Sequence, residues 1–278
     1  MVEYAVKTPP QHGAWQDFLD VWRATDECDA FAQAWNFDHF YPLVGDTHGT
    51  CLEGWTMLAA LAQATSRIRI GTMVNGMHYR HPAVTANMAA TVDIISNGRF
   101  DLGLGAGWNI EESSAYGIEL GSIKERLDRF EEGVEVITSL LSQRVTNFDG
   151  AYFQLADAYC EPKPVQVGGV PLLIGGSGRK RTLKIVARHA QKWDASFGSV
   201  DEWHDKNDSL IGHCEALGRD HREIKRSAHL AWNADDDPGQ LAERARELAE
   251  AGVDQVIFSM RGPYRASDVD RLGAVLGA

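Results

Sequence analysis

Phe100-Asp101-Leu102-Gly103-Leu104-Gly105-Ala106-Gly107-Trp108-Asn109 reads as a β-strand that runs into glycines and then opens a helix. Glycines at a strand end let bare backbone N–H groups face an anion, and the helix N-terminus that follows adds partial positive charge. A second stretch has the same form: Leu172-Leu173-Ile174 leads into Gly175-Gly176-Ser177-Gly178, with Arg179, Lys180 and Arg181 after it. Helix dipole, hydroxyl and cations converge there, which makes it the stronger phosphate site of the two. The first stretch is not the dinucleotide fingerprint of an open sheet, because Trp108 stands where close helix packing wants a glycine.

Outward from these two stretches, β-rich runs alternate with amphipathic helical segments almost from end to end. The strands are read at Tyr4-Ala5-Val6, Ala34 to Phe37, Ile68 to Thr72, Phe100 to Leu104, Leu172 to Ile174, Ala195 to Phe197, Ala228 to Trp232 and Gln255 to Phe258. Between them, Phe18, Trp22 and Thr25 share one helical face, as do Trp55, Leu58 and Leu61, then Val84, Met88, Thr91 and Ile95 behind Pro82. Ser122 with Glu125 is a capping box for a helix bearing Phe130, Val134, Ile137 and Leu141, and Asp201 and Gly218 bound a later helix. Eight such units predict an α/β fold, a (β/α)8 TIM barrel, in a single domain over residues 1–278. One excursion interrupts the rhythm, from Val145 to Val170, where Asp149-Gly150 signals a hairpin and Glu161-Pro162-Lys163-Pro164 an extended run.

Twenty-seven Lys and Arg against 39 Asp and Glu give a net charge of −12, a field that repels nucleic acid and anionic membranes. No window approaches the roughly 18 apolar residues of a membrane span, and the opening Met1-Val2-Glu3-Tyr4 is too polar for a secretory signal, so a cytoplasmic protein is expected. Cys28, Cys51, Cys160 and Cys214 form no Cys-x-x-Cys pair and the histidines show no ligand spacing, so reduced thiols and no metal are expected.

In such a barrel the chemistry sits where strands end. Those ends carry Asp38-His39, Thr72-Met73-Val74-Asn75, Gly105 to Asn109, Gly175 to Gly178, Phe197, Trp232-Asn233 and Ser259, a set without lysine and poor in carboxylates. That composition argues against a Schiff-base aldolase or a proton-abstracting isomerase on a phosphorylated metabolite, and for chemistry carried by a bound ring coenzyme. The missing side chains at Gly105 and Gly107 admit a flat ring near backbone, with Trp108 and Asn109 as wall and polar contact.

Several blocks in order, Asp38-His39-Phe40, Gly71-Thr72-Met73-Val74 with Tyr79-Arg80-His81-Pro82, Ile94 to Arg99, Gly103 to Asn109 with Tyr116-Gly117, and Glu161 to Pro164 before Ile174-Gly175-Gly176, resemble the bacterial-luciferase-like monooxygenase superfamily, and more closely its deazaflavin-dependent oxidoreductase branch. The resemblance implies hydride transfer between coenzyme F420 and a small organic substrate, with a flavin mononucleotide (FMN) monooxygenase as the alternative, and a homodimer. A coenzyme-binding protein without turnover is the reading from another class. The resemblance puts the coenzyme against Asp38, His39, Met73, Val74, Asn75, Gly105, Gly107, Trp108 and Asn109, its phosphate at Gly175, Gly176, Ser177, Gly178 and Arg179, and a cis peptide at Met73-Val74. A hydride that joins or leaves the ring is matched by a proton, and His39 is the best available acid or base for it; the glutamate that some members carry near Ala106 is absent here.

Overall fold

Apolar strands too short to bury themselves are covered one by one by the helices that follow them, and the ring they form leaves no strand edge open. The computed structural model describes residues 2–277. The elements are β1 (Glu3–Lys7), α1 (Trp15–Glu27), β2 (Gln33–Asn36), α2 (Gly54–Ala64), β3 (Arg69–Gly76), α3 (Pro82–Ile95), β4 (Phe100–Gly105), α4 (Ile110–Ala115) and α5 (Ile123–Ser142). Then come β5 (Thr146–Asp149), β6 (Gln154–Ala158), β7 (Leu172–Gly175), α6 (Thr182–His189), β8 (Lys192–Ala195), α7 (Val200–Leu217), β9 (Lys225–Asn233), α8 (Pro238–Glu250), β10 (Gln255–Arg261) and α9 (Ala266–Leu276). Eight strands close a parallel barrel in the order β1-β10-β9-β8-β7-β4-β3-β2, while β5 and β6 form the expected hairpin outside it.

Alternation along each strand sorts side chains between two cores. Outward residues such as Val6, Ala34, Phe100, Trp193 and Phe258 pack against the helices in one large cluster with Phe18, Trp22, Leu58 and Phe130. Inward residues form three levels. At the level where the strands begin, buried Asp101 takes ion pairs from Lys192 and Arg69 and a 2.6 Å hydrogen bond from Gln33 Nε2. Gln255 Nε2 donates to Gln33 Oε1 at 3.1 Å, so five strands share this polar plug. Above it Ala5, Trp35, Met73, Leu173 and Ile257 fill the middle. Lys7, Asp194 and His229, one alternation step or two further along their strands, reach the open end.

Four sequence expectations change. The sixth barrel strand is Lys192–Ala195, not Ala195 to Phe197. Its charged residues disguise it, because Lys192 and Asp194 are the inward-facing ones. The face of α3 against the sheet is Thr85, Ala86, Ala89 and Ala90, whose small side chains permit close approach, and the Val84-Met88-Thr91-Ile95 stripe points outward. The cap of α7 is Ser199, whose hydroxyl accepts from Glu202 N, and Asp201 lies in the first turn. The short helix α4 is an addition, capped by Asn109.

Burial pushes the Asp101 carboxyl up, but Lys192 and Arg69 outweigh it and hold it below the usual range. Its stabilisation is therefore present above the ordinary carboxylate pKa and lost as pH falls through the lower folded value. Asp101→Asn is expected to cost about 3–5 kcal/mol, because buried Lys192 and half-buried Arg69 lose their counter-charge; urea unfolding at neutral pH measures it.

Candidate active site

At the C-terminal end of the barrel lies a cavity of about 580 Å³, and the irregular path of β3 shapes its floor. The β3–β4 ladder slips register between Thr72 and Asn75, so Met73 and Val74 bulge from the sheet into the cavity. The Met73–Val74 peptide is cis, as the resemblance implies. Neighbouring strands make room with glycine: a Cβ on Gly103 would stand 2.0 Å from Thr72 O, and one on Gly105 2.7 Å from Val74 Cγ2. Gly107, at φ +90°, would bring a Cβ 2.4 Å from His78 Nδ1. These glycines thus accommodate the chain's own bulge and imidazole, a different reason from the open space expected for a ring.

His39 follows β2 and is held by a residue the sequence reading missed. Glu112, on α4, is fully buried and accepts from His39 Nδ1 at 2.6 Å, from Phe40 N at 2.7 Å and from the Tyr79 hydroxyl. Burial raises its carboxyl, but these donors outweigh that and keep it below the usual glutamate range. An ionised carboxylate can only accept, so Nδ1 carries a proton, which leaves Nε2 as the free nitrogen of a residue that lines the cavity. Burial and the Glu112 hydrogen bond together push Tyr79 well above the ordinary phenol range, so it remains a donor. Trp108, 62% exposed, stands at the rim with its ring 5.7 Å from His39. The signal for Glu112 was available: Asn109 caps α4, its Oδ1 accepting from Glu112 N at 3.1 Å, which places Glu112 in the first turn beside the barrel mouth.

The glycine-rich turn after β7 borders the same cavity through Gly175, Gly176 and Gly178, joined by Thr182 of α6 and Arg126 of α5. Arg126 Nη1 donates to Gly107 O at 3.2 Å, and Arg126 Nε is a buried donor without a partner among the described residues. An anionic group fits that vacancy in hydrogen bonding. The cations expected there from sequence turn elsewhere: Arg179 pairs with Asp205 on α7, and Arg181 with Asp128 on α5 at 2.7 Å. The Ser177 hydroxyl is engaged with the backbone of Ser196, at 3.1 Å to its oxygen and 3.0 Å to its nitrogen.

Of the residues named from sequence, His39, Met73, Val74, Gly105, Gly107, Trp108, Gly175, Gly176 and Gly178 come together around the cavity. Asp38, Asn75, Asn109, Ser177 and Arg179 do not line it. Asp38 and Asn75 are buried behind the wall on Arg80, whose Nη1 donates to them at 2.6 and 3.1 Å, and burial raises Asp38 to about 6 despite that cation. The strand ends also contain what the sequence reading found missing: Lys7 closes β1 and Asp194 lies on β8, both lining the cavity. A first strand ending at Val6 and a sixth beginning at Ala195, as the apolar pattern reads, leave both charged residues outside the strand ends.

The luciferase-like monooxygenase family model matches residues 2–271. An uncharacterized protein of Mycobacterium tuberculosis is 32% identical over 240 residues, 84% of this chain and 79% of the relative. The F420-dependent glucose-6-phosphate dehydrogenase of Kineococcus radiotolerans is 31% identical over 216 residues, 76% of this chain but only 62% of that enzyme. An F420-dependent secondary alcohol dehydrogenase, solved with an F420-acetone adduct, superimposes with a TM-score of 0.87 at 19% identity, covering 99% of this chain and 98% of that one, a likeness of fold.

His78, lining the cavity and hydrogen bonded to Ser113 Oγ at 3.1 Å, is pushed down to about 4 by burial. A histidine kept neutral in the fold stabilises it above its ordinary value of 6.5, and that contribution fades as pH falls toward about 4. His78→Gln should therefore flatten the loss of unfolding free energy over this window relative to the parent chain, as followed by urea titrations at several pH values.

Proposed function

Since the chain belongs to the luciferase-like monooxygenase family, we propose that it is an oxidoreductase that moves a hydride between coenzyme F420 and a small organic substrate. The observation that carries this reading is the fixed imidazole: His39, tied through Nδ1 to buried Glu112, keeps Nε2 free and lines a cavity whose other end is an anion corner. When bound, the deazaflavin supplies the hydride donor or acceptor that side chains lack. Arg126, Gly176, Gly178 and Thr182 would hold its anionic tail, and the Met73–Val74 bulge would support the ring. A hydride that joins or leaves a substrate carbon is matched by a proton on the attached oxygen, and His39 Nε2 is the group placed to exchange it. Tyr79 and Phe40 keep the Glu112 carboxylate oriented, and Trp108 limits access of water at the rim.

The second reading keeps the cavity and replaces the coenzyme with FMN acting with oxygen, as the family's description as monooxygenases favours. Fluorescence titration with oxidised F420 and with FMN separates them: F420 is expected to saturate at micromolar concentration and FMN not. His39→Ala is expected to lower turnover by roughly 10²–10⁴-fold while leaving coenzyme affinity largely intact. Unchanged turnover would remove His39 from the mechanism, and no turnover in the parent chain with any substrate would favour a carrier of coenzyme.

The same reading includes a cytoplasmic homodimer built as one barrel per chain. Among the described residues no helix is long and apolar enough to cross a membrane. Val84 and Ile95, 51% and 38% exposed on the outer face of α3, border an apolar groove against α2 that a second copy would cover. Sedimentation equilibrium should give twice the chain mass, and Val84→Glu should return it to one.

A further inference from the structure

The coenzyme reading occupies the arc of β2, β3, β4 and β7, leaving the arc of β8, β9, β10 and β1 without a role. That arc encloses a second lobe of about 390 Å³, bounded by Lys7, Asp194, Ser196, Phe197 and His229. Lys7, Asp194 and Ser196 also line the main cavity, so the two spaces share a wall. The lobe is polar where the middle of the barrel beneath it is apolar.

Its charges are unevenly satisfied. Both oxygens of the Asp194 carboxylate are engaged: His229 Nε2 lies 3.2 Å from Oδ2, and Ser227 Oγ donates to Oδ1 at 3.0 Å. Because Asp194 is held below the usual carboxylate range despite burial, chiefly by His229, it accepts and His229 Nε2 carries the proton. The Lys7 ammonium, in contrast, makes neither a hydrogen bond nor an ion pair with any described residue. Burial lowers its proton affinity and Asp194 opposes that only through space. A half-buried ammonium without a hydrogen-bonded counter-charge is incompletely satisfied, and an incoming carboxylate completes it where a neutral group does not. The coenzyme's anionic tail has its own cation, Arg126, on the other arc.

We propose that Lys7 anchors the carboxylate of the substrate, which is therefore a small organic acid: the acid group enters the lobe at Lys7 beside Ser196, and the reacting carbon lies in the main cavity toward His39. The inference rests on the hydride-transfer reading and adds the substrate class to it. It makes Lys7 a specificity residue and assigns it no covalent step.

The test uses the full chain, with and without F420, and a panel of oxo acids of increasing length, pyruvate, 4-oxopentanoate and 5-oxohexanoate, each paired with its amide. Binding is read by saturation-transfer NMR and calorimetry. At least one acid should bind tenfold or more tightly than its amide. Lys7→Met and Lys7→Gln, checked for folding by circular dichroism, should each lose that preference while F420 affinity stays within a factor of about two, the uncertainty of the titration. Equal binding of acid and amide, no binding of any acid, or acid binding that survives both variants overturns the proposal. So does a parallel loss of F420 affinity, which would place Lys7 in the coenzyme site. If the parent chain fails to bind F420 but holds an acid through Lys7, the coenzyme reading falls and the anchor stands; if F420 binds and the acids do not, the reverse holds.

Discussion

Closing eight parallel strands into a ring forces every second side chain of each strand into one narrow interior, and the rest of the molecule follows from how that interior is filled. At the end where the strands begin, Asp101 gathers Lys192, Arg69 and Gln33 into a plug whose charges compensate one another. Trp35, Met73, Leu173 and Ile257 occupy the middle by volume. At the far end, side chains from the same alternation have no further layer to pack against, so they border a cavity. Chemistry collects there because packing runs out.

The interior also explains why glycine clusters at β4 and β7. Met73 and Val74 leave the ladder, and a displaced residue needs space on neighbouring strands that only the absence of a Cβ provides. Gly103, Gly105 and Gly175 all face Thr72 or Val74. A feature that reads in sequence as a phosphate loop is here also a packing requirement. The anion corner survives that reassignment, but its cation is Arg126, delivered from α5, since Arg179 and Arg181 tie the turn before α6 to α7 and α5.

Around His39 the governing interaction is with a single buried carboxylate. Glu112 fixes one imidazole nitrogen, a backbone amide and a phenol at once, so the remaining ring nitrogen is directed with little freedom. The opposite arc has the converse arrangement, a carboxylate already satisfied and an ammonium that is not. A pocket with one preset imidazole and one unmatched cation is suited to a ligand that carries its own negative charge.

The linear chain by itself determined the barrel, because alternation with period two in the strands and the stripes of Phe18-Trp22-Thr25 or Phe130-Val134-Ile137 are local signals. The cap at Ser122 was readable for the same reason. Charged residues inside the barrel were harder: Lys192 and Asp194 look like a loop until the partners Asp101, Gln33 and His229, from strands distant in sequence, are seen to satisfy them. Tertiary structure alone decided that Glu112 reaches back over seventy residues to His39, that Arg126 displaces Arg179, and that the Lys7 ammonium at the mouth has no direct partner among the described residues. The physical reason is that periodicity tells which way a side chain points, whereas the charge it meets depends on which strands the closed ring has made neighbours.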